Sequence, residues 1–254
     1  MLNATRRVGR LATAIAISLG IFILFSVDPA LAQNLTLDFG EGGSATGKIV
    51  QIVVLMAILS LAPSILIMVT SFVRIVIVLS FLRTAMGAQQ TPPNAVLVSL
   101  ALFMTFFIMQ PTLETAYTNG ILPLIEEEIS EEQALERTVA PFHAFMLRHV
   151  REKDLELFMG LGNIEPVETA IDTPIRALIP AFMISELRRA FEIGFLLFVP
   201  FLMIDMVVAS VLMSMGMMML PPVMISLPFK LIFFVLVDGW YLVIGSLTRS
   251  FGVI

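Results

Sequence analysis

The chain of 254 residues contains no cysteine, only two histidines and few charged residues. Without cysteine it has no disulfide framework, no thiol nucleophile and no thiolate-bound metal. The two histidines, His143 and His149, are six positions apart, so they point to different sides of a helix and do not match metal ligands spaced by four. We therefore predict no catalytic constellation, no metal site and no cofactor.

The scarcity of charge indicates the class of protein. Charged residues make up 14% of the chain and hydrophobic residues 58%, with a mean hydropathy of +0.96. Soluble domains are about 25% charged and about 45–50% apolar, so this composition is typical of a membrane protein. The formal net charge of −5 provides no basic surface for nucleic acid, and we expect no nucleic-acid partner.

Residues 1–32 have the pattern of a secretory signal peptide, with a positive start, an uncharged apolar stretch and a small-x-small motif. These three parts are Arg6, Arg7 and Arg10, then Leu11–Val27, then Ala30-Leu31-Ala32. We predict cleavage between Ala32 and Gln33, which places the new N-terminus outside the cytoplasm. The alternative is an uncleaved signal anchor. Residues 33–48 are glycine-rich and are predicted to form a flexible extracytoplasmic tether.

The remaining sequence divides by charge into two hydrophobic blocks, residues 49–113 and 193–254, around a polar insert, residues 114–192. The insert holds 15 of the 20 acidic residues and seven of the 15 basic ones. Each block is interrupted by a double proline, Pro92-Pro93 or Pro221-Pro222, which is a signal for one helix to stop and the next to start. The predicted fold is all-α, with two hydrophobic helical hairpins flanking a polar helical insert. A membrane-spanning helix needs about 20 apolar residues, whereas residues 49–82 form a longer apolar stretch and residues 95–109 a shorter one. This mismatch in length indicates that some helices pack on protein rather than lipid.

The insert has local signals for two helices. Ser130 and Gln133 match a capping box, and Pro141 is predicted to begin a second helix. The residues that follow recur on one helix face, which predicts a buried side; they are Phe142, Phe145, Met146, His149 and Val150.

Four charged residues lie within the apolar stretches 49–82 and 193–248 of these blocks: Arg74, Asp205, Lys230 and Asp238. Charges in such surroundings are costly, face the protein interior and pair with one another. They form either a proton relay or ion pairs that fix packing between helices or subunits. Because they are sparse and of both signs, we favour ion pairs. Asp205 and Lys230 flank a methionine-rich segment, so they are candidates for a pair within one hairpin or across a subunit boundary.

Five of the 17 methionines lie between Leu212 and Pro221. Methionine is unbranched, polarizable and adaptable, and a cluster beside glycine and before two prolines is a poor rigid core. We predict that this segment is a soft seal that closes a pore; the alternative is that it fills an irregular core. The predicted seal comprises Met215, Gly216, Met217, Met218 and Met219.

Three groups of motifs resemble signatures of the FliP family, the flagellar export-gate protein and its counterparts in virulence secretion systems. They are Pro180–Leu187 with Phe191, Pro200-Phe201 and Ile204–Ser210; Pro228–Lys230 with Asp238–Trp240; and Ser71–Arg74 with Phe81–Arg83 and Gln89–Asn94. The similarity begins at about Ile49. The signal peptide and the form of the methionine segment resemble the flagellar branch more than the virulence branch.

This resemblance implies a core subunit of the flagellar type III protein export gate, through which unfolded flagellar proteins cross the inner membrane. It implies a ring of five copies in or above that membrane at the flagellar basal body, joined to FliQ-like and FliR-like partners and other export-apparatus membrane proteins. The insert then faces the periplasm and the methionine segment is a gasket. The resemblance makes Arg151, Glu186, Asp205 and Lys230 charges of subunit contacts, and it implies no enzymatic activity.

Three other functions remain open at this point. They are a subunit of a virulence secretion gate, a secondary transporter with a midplane site at Arg74 or Asp205, and a membrane scaffold without a conduit. The size of the detergent-solubilised particle separates a transporter from an export gate, because a transporter is expected as a monomer or dimer and an export gate as a large ring.

Overall fold

The computed structural model describes residues 45–88, 90–165, 167, 169–217 and 221–252. The predicted cleavage site at Ala32 and Gln33 lies outside these residues, and so do Met218 and Met219 of the predicted seal. The chain divides after Leu55 into two compact units, and the contacts below belong to the second. Regular structure in the described ranges is all helical, which confirms the predicted fold class.

The helices follow the chain in this order: α1 (Ala45–Met68), α2 (Phe72–Ala85), α3 (Asn94–Ala116), a π-helical turn (Tyr117–Ile121), α4 (Leu122–Ile125), α5 (Glu131–His149), α6 (Glu152–Leu161), a 3₁₀ turn (Ala170–Asp172), α7 (Ile175–Ser214), α8 (Pro222–Leu236) and α9 (Gly239–Arg249). Helix α3 begins directly after Pro93, and α8 begins at Pro222, so both double prolines restart helices as predicted. Helix α1 begins inside the stretch predicted to be a tether.

The first apolar stretch, residues 49–82, is longer than one span, and it folds as two helices with a break at residues 69–71. Thr70 Oγ1 donates to the carbonyl of Ile67 at 3.1 Å and accepts the N–H of Phe72 at 3.4 Å. The hydroxyl therefore replaces helical backbone bonds at the break. Helices α1 and α2 are bent by more than 40° relative to each other there.

The centre of the core lies where α2 packs against α7. Four apolar side chains of α2 are completely buried at helical spacing, namely Ile75, Val78, Leu79 and Leu82. Leu178 and Phe182 of α7 are also completely buried and belong to the same cluster. These two helices therefore form the frame on which the charged residues are positioned.

Helix α7 is 40 residues long and passes without a break from the polar insert into the second hydrophobic block. At 1.5 Å per residue its length is about 60 Å. The sequence changes from polar to apolar between residues 192 and 193, but the helix has no break there. Pro180 and Pro200 lie within this helix.

Helix α5 starts as the capping box predicts, because Ser130 Oγ accepts the N–H of Gln133 at 3.4 Å. The prediction that Pro141 begins a second helix is wrong, since α5 continues through it to His149. Proline removes one helical hydrogen bond, but Phe145 and Met146 in the next turn are buried and hold the helix against the core. The predicted apolar face is buried or half-buried throughout.

Helix α3 extends beyond Met109 and passes into the π-helical turn, which lies directly against α5. A Cβ added at Gly120 would lie 2.2 Å from Thr138 Oγ1 and 2.8 Å from the Thr138 backbone nitrogen. The backbone nitrogen cannot move aside, so only glycine permits this approach.

Within the described residues, two helical stretches are long and apolar enough to cross a membrane: Asn94–Ile125, with 32 residues, and Ile175–Ser214, with 40. Two bent helix pairs, α1 with α2 and α8 with α9, add further spans if each pair counts as one, for a total of up to 4. These helices fit the membrane class that the composition predicts.

Candidate functional site

The four charges that the sequence singles out as subunit contacts all have partners within this chain. Glu186 and Asp205 lie on α7, Lys230 lies on α8, and Arg151 immediately precedes α6. Each belongs to an ion pair. The pairs of Glu186 and Asp205 join α7 to other helices directly, and the pair of Arg151 reaches α7 through Ser185. Their role between subunits stays a prediction.

The most buried of these pairs joins Arg74 of α2 to Glu186. Arg74 Nε donates to Glu186 Oε2 at 2.7 Å and Nη2 donates to Oε1, and neither side chain has exposed area. Nη1 donates to the carbonyl and the hydroxyl of Ser250, at 3.2 and 2.9 Å. Every guanidinium nitrogen thus has an acceptor, which satisfies the requirement for burying a charge. Arg74 connects α2, α7 and the turn after α9.

An aromatic cluster covers this ion pair. The guanidinium carbon of Arg74 lies 3.7 Å from the ring centroid of Phe251, close enough for a cation–π interaction. Phe251 stacks on Phe145 with centroids 6.3 Å apart and lies 5.4 Å from the His149 ring. His149 Nδ1 donates to the carbonyl of Phe145 at 2.8 Å. Burial lowers the pKa of His149, and nearby Arg74 lowers it further, so the ring is a neutral core group.

A second ion pair fixes the start of α6 to α7. Arg151 donates from Nε and Nη2 to the two Asp154 carboxylate oxygens at 2.8 and 2.7 Å. The Ser185 hydroxyl donates to Asp154 Oδ2 at 2.6 Å and accepts the Arg151 N–H at 3.1 Å. The bonds from Arg151 hold the pKa of Asp154 below its usual value. Asp154 and Ser185 were not singled out from the sequence.

The third ion pair lies near the methionine segment. Lys230 Nζ donates to Asp205 Oδ2 at 2.6 Å and to the carbonyl of Ala85, the last residue of α2, at 3.3 Å. The Ser226 hydroxyl donates to the other Asp205 oxygen. Of the two arrangements predicted for this pair, the structure contains the one within a single hairpin. The ammonium also offsets the negative end of the α2 dipole.

Asp238 has a different setting from Arg74, Asp205 and Lys230. It lies at the turn between α8 and α9 with φ of 49°, the left-handed region that aspartate tolerates better than most residues. Its carbonyl accepts the N–H of Leu242 at 3.1 Å. Asp238 therefore lies at the 64° bend between these helices and not inside either of them.

The described part of the methionine segment forms the end of α7. Gly216 has φ of +73°, its N–H donates to Met213 O at 3.0 Å, and the Met217 N–H donates to Leu212 O at 3.0 Å. This is the Schellman pattern, which ends a helix at a left-handed residue, usually glycine. Met215 is 62% exposed and Met217 is 45% exposed. These two side chains therefore do not fill the core of this chain.

Comparison with known proteins identifies the family. The model of the FliP family matches residues 55–247. The chain belongs to the FliP family. Its FliP relatives include the flagellar biosynthetic protein FliP of Caulobacter vibrioides, 61% identical over 223 residues, which are 87% of this chain and 84% of the relative. The protein of that name from Bacillus subtilis is 55% identical over 202 residues, 80% of this chain and 91% of the relative. That of Aquifex aeolicus is 47% identical over 241 residues, 94% and 98% of the two chains.

The FliP assignment confirms the resemblance seen in the motifs. The relatives carry a flagellar name, which favours the flagellar branch over the virulence branch. Together with the long apolar helices, FliP membership identifies a membrane protein of flagellar biosynthesis.

Proposed function

We propose that this chain is a core subunit of the flagellar protein export gate in the bacterial inner membrane. Five copies, with FliQ-like and FliR-like partners and other export-apparatus proteins, surround a closed conduit for unfolded flagellar proteins. The observation that carries the proposal is the end of α7, where a FliP-family chain presents Met215 and Met217 on an exposed turn beyond a left-handed glycine. We propose no enzymatic role.

The length of α7 supports an assembly that stands partly above the membrane. A helix of about 60 Å is twice as long as the hydrocarbon layer of about 30 Å. Its first part belongs to the charged insert and its last part to the apolar block. We propose that the insert lies on the periplasmic side and that the methionine turn lies near the opposite end of the conduit.

The exposed apolar surface supports extensive contacts with lipid or with other subunits. Large hydrophobic side chains are exposed along the second half of α7 and on α8, including Phe195, Met206, Phe229 and Val235. A monomer in water rarely shows a contiguous apolar surface of this extent. Burial of this surface in a ring and in lipid accounts for it.

The chemistry of the methionine side chain suits a seal for unfolded chains. Thioethers from several copies exclude water and ions from a narrow axis, and they adapt to any passing sequence because they offer no fixed polar partner. Gly216 permits the turn, and Pro222 starts the next helix rigidly. The Asp205–Lys230 pair holds α7 and α8 together behind the turn.

The proposal is tested by measuring ion conductance of membranes that contain the assembled gate. Replacement of Met217, with Met218 and Met219, by alanine is expected to raise conductance while the ring persists. The matched control is Met206→Ala, a methionine on α7 that is also exposed but lies before the turn. Unchanged conductance with an intact ring would overturn the seal, and absence of any large ring in the unaltered protein would overturn the gate subunit.

The transporter alternative gains little support from the geometry. A midplane substrate site needs accessible polar groups, yet Arg74 has no exposed area and all its nitrogens are bonded within the chain. Asp205 already binds Lys230 and Ser226. The particle size remains the direct measurement that separates a transporter from a gate.

A further inference from the structure

The insert carries an open apolar groove of about 760 Å³ along the side of α5 that faces away from the core. Its floor, which we call the insert groove, is formed by Leu135, Val139, Leu147, Ile171 and Ile175. Leu135 and Ile171 are largely exposed, so no described part of the chain fills the groove. Two carboxylates, Glu132 and Glu136, form one of its edges.

The same chain also carries an exposed apolar stripe that contains a positively charged side chain. Ile184 and Phe191 on α7 are exposed, and the exposed Arg188 lies between them. We call these three residues the α7 ridge. Arg188 Nε donates to Glu192 at 2.8 Å, an exposed contact that leaves the two Nη groups available and that contributes little stability.

The groove and the ridge use opposite faces of α7. Ile175, which lines the groove, and Ile184 are nine positions apart on α7, about two and a half turns at 3.6 residues per turn. Phe191 falls within about 20° of the same direction as Ile184. A chain therefore does not place its own ridge in its own groove. Two different faces that meet between copies produce a head-to-tail contact, and such contacts form a ring when the rotation between copies closes.

We infer that the insert groove receives the α7 ridge of a second copy of this chain. The ridge supplies apolar side chains for the floor of the groove, and Arg188 meets Glu132 and Glu136 at its edge. Charge complementarity favours this occupant. The α7 ridge is apolar with one guanidinium, from Arg188, and the insert groove is apolar with two carboxylates, from Glu132 and Glu136. This inference rests on the proposed gate function and specifies which surfaces join its copies.

The absence of cysteine makes a crosslinking test clean, because introduced cysteines are the only thiols in the chain. The full chain, expressed with its partner proteins, carries Leu135→Cys in the groove and Ile184→Cys on the ridge. Oxidation in membranes is expected to give a ladder of covalent species from dimer to closed ring. Each single variant is expected to give no dimer, because the two faces differ. The control pairs Ile184→Cys with Leu161→Cys, since Leu161 of α6 is 70% exposed, against 67% for Leu135, but lies outside the groove.

The charge is tested in the same assay. Glu136→Arg is expected to lower the crosslink yield at least about ten-fold, because it opposes Arg188 with a like charge. Adding Arg188→Glu is expected to restore most of the yield. A yield that Glu136→Arg leaves unchanged would overturn the assigned partner of Arg188.

Particle size by native electrophoresis separates failure of this inference from failure of the proposed function. A full-size ring without the groove-to-ridge crosslink overturns the inference and leaves the gate subunit intact. A crosslink from Leu135→Cys to a different protein, or dimers from either single variant, also overturns it. Loss of the large particle in the cysteine-free protein overturns the proposed function itself.

Discussion

Arg74 and Glu186, 112 positions apart in the sequence, form a two-point ion pair without exposed side-chain area. Removing one partner leaves a buried charge without compensation. We expect Glu186→Gln to lower the free energy of unfolding by about 3–5 kcal/mol, while Arg74→Met with Glu186→Leu loses much less. Denaturation of the detergent-solubilised protein measures both. The exposed Arg188–Glu192 pair is the control, with about 0–1 kcal/mol lost in Arg188→Ala. Equal losses in the single and double core variants would contradict this account.

The Asp205–Lys230 pair permits a charge-exchange experiment. Asp205→Lys and Lys230→Asp alone each place two like charges together, so we expect both to abolish assembly on native gels. The double exchange restores the attraction but leaves the Ala85 carbonyl and the Ser226 hydroxyl without their present partners. We therefore expect partial recovery, to a level above both single variants. A double variant no better than either single one would show that the pairing does not govern assembly.

Stability is expected to fall in mild acid because of His149. Its pKa in the folded chain is below the ordinary 6.5, through burial, so the unfolded chain takes up the proton more readily. The contribution of His149 to the free energy of unfolding is therefore constant well above pH 6.5 and falls as the pH drops from there towards the lower folded-state pKa. His149→Gln should remove this slope in a pH series of thermal unfolding. Asp154→Asn should retain it, because the lowered pKa of Asp154 acts only below its ordinary 3.8.

The turn after α9 is expected to contribute to global stability through Phe251. This ring is buried against Phe145, His149 and the guanidinium of Arg74. Phe251→Ala should cost about 3–5 kcal/mol, the usual loss for a buried phenylalanine. Phe195→Ala, on an exposed part of α7, serves as the matched control in detergent, and we expect it to stay near the parent value. Similar losses in the two variants would argue against a core role for this turn.

The sequence predicts those features of the fold that depend on local chemistry. Ser130, Pro93 and Pro222 each mark a helix start, because capping and proline effects act within one turn. Pro141 misled the prediction, since tertiary packing behind it outweighs one lost hydrogen bond. The continuity of α7 across residues 192 and 193 was not foreseen either, because a change in polarity does not itself break a helix.

The charged sites were predicted in part. Asp205 and Lys230 could be paired from their positions on either side of one segment, whereas Arg74 was recognised as costly without its partner. Glu186 and Ser250 reach Arg74 only through the folded arrangement of three separate segments. Periodicity and spacing in the sequence do not indicate contacts between residues so far apart. The contact between Ser185 and Asp154 was not predicted for the same reason.

The partners of Arg74 also set an order of events during synthesis. During translation Arg74 is added to the chain 112 residues before Glu186 and 176 residues before Ser250. During that interval the nascent helix carries a lone cation among aliphatic neighbours, where lipid solvates it badly. We expect water or lipid phosphate to solvate the guanidinium until its partners are made, so the chain is more exposed to proteolysis before the ion pair forms than after it.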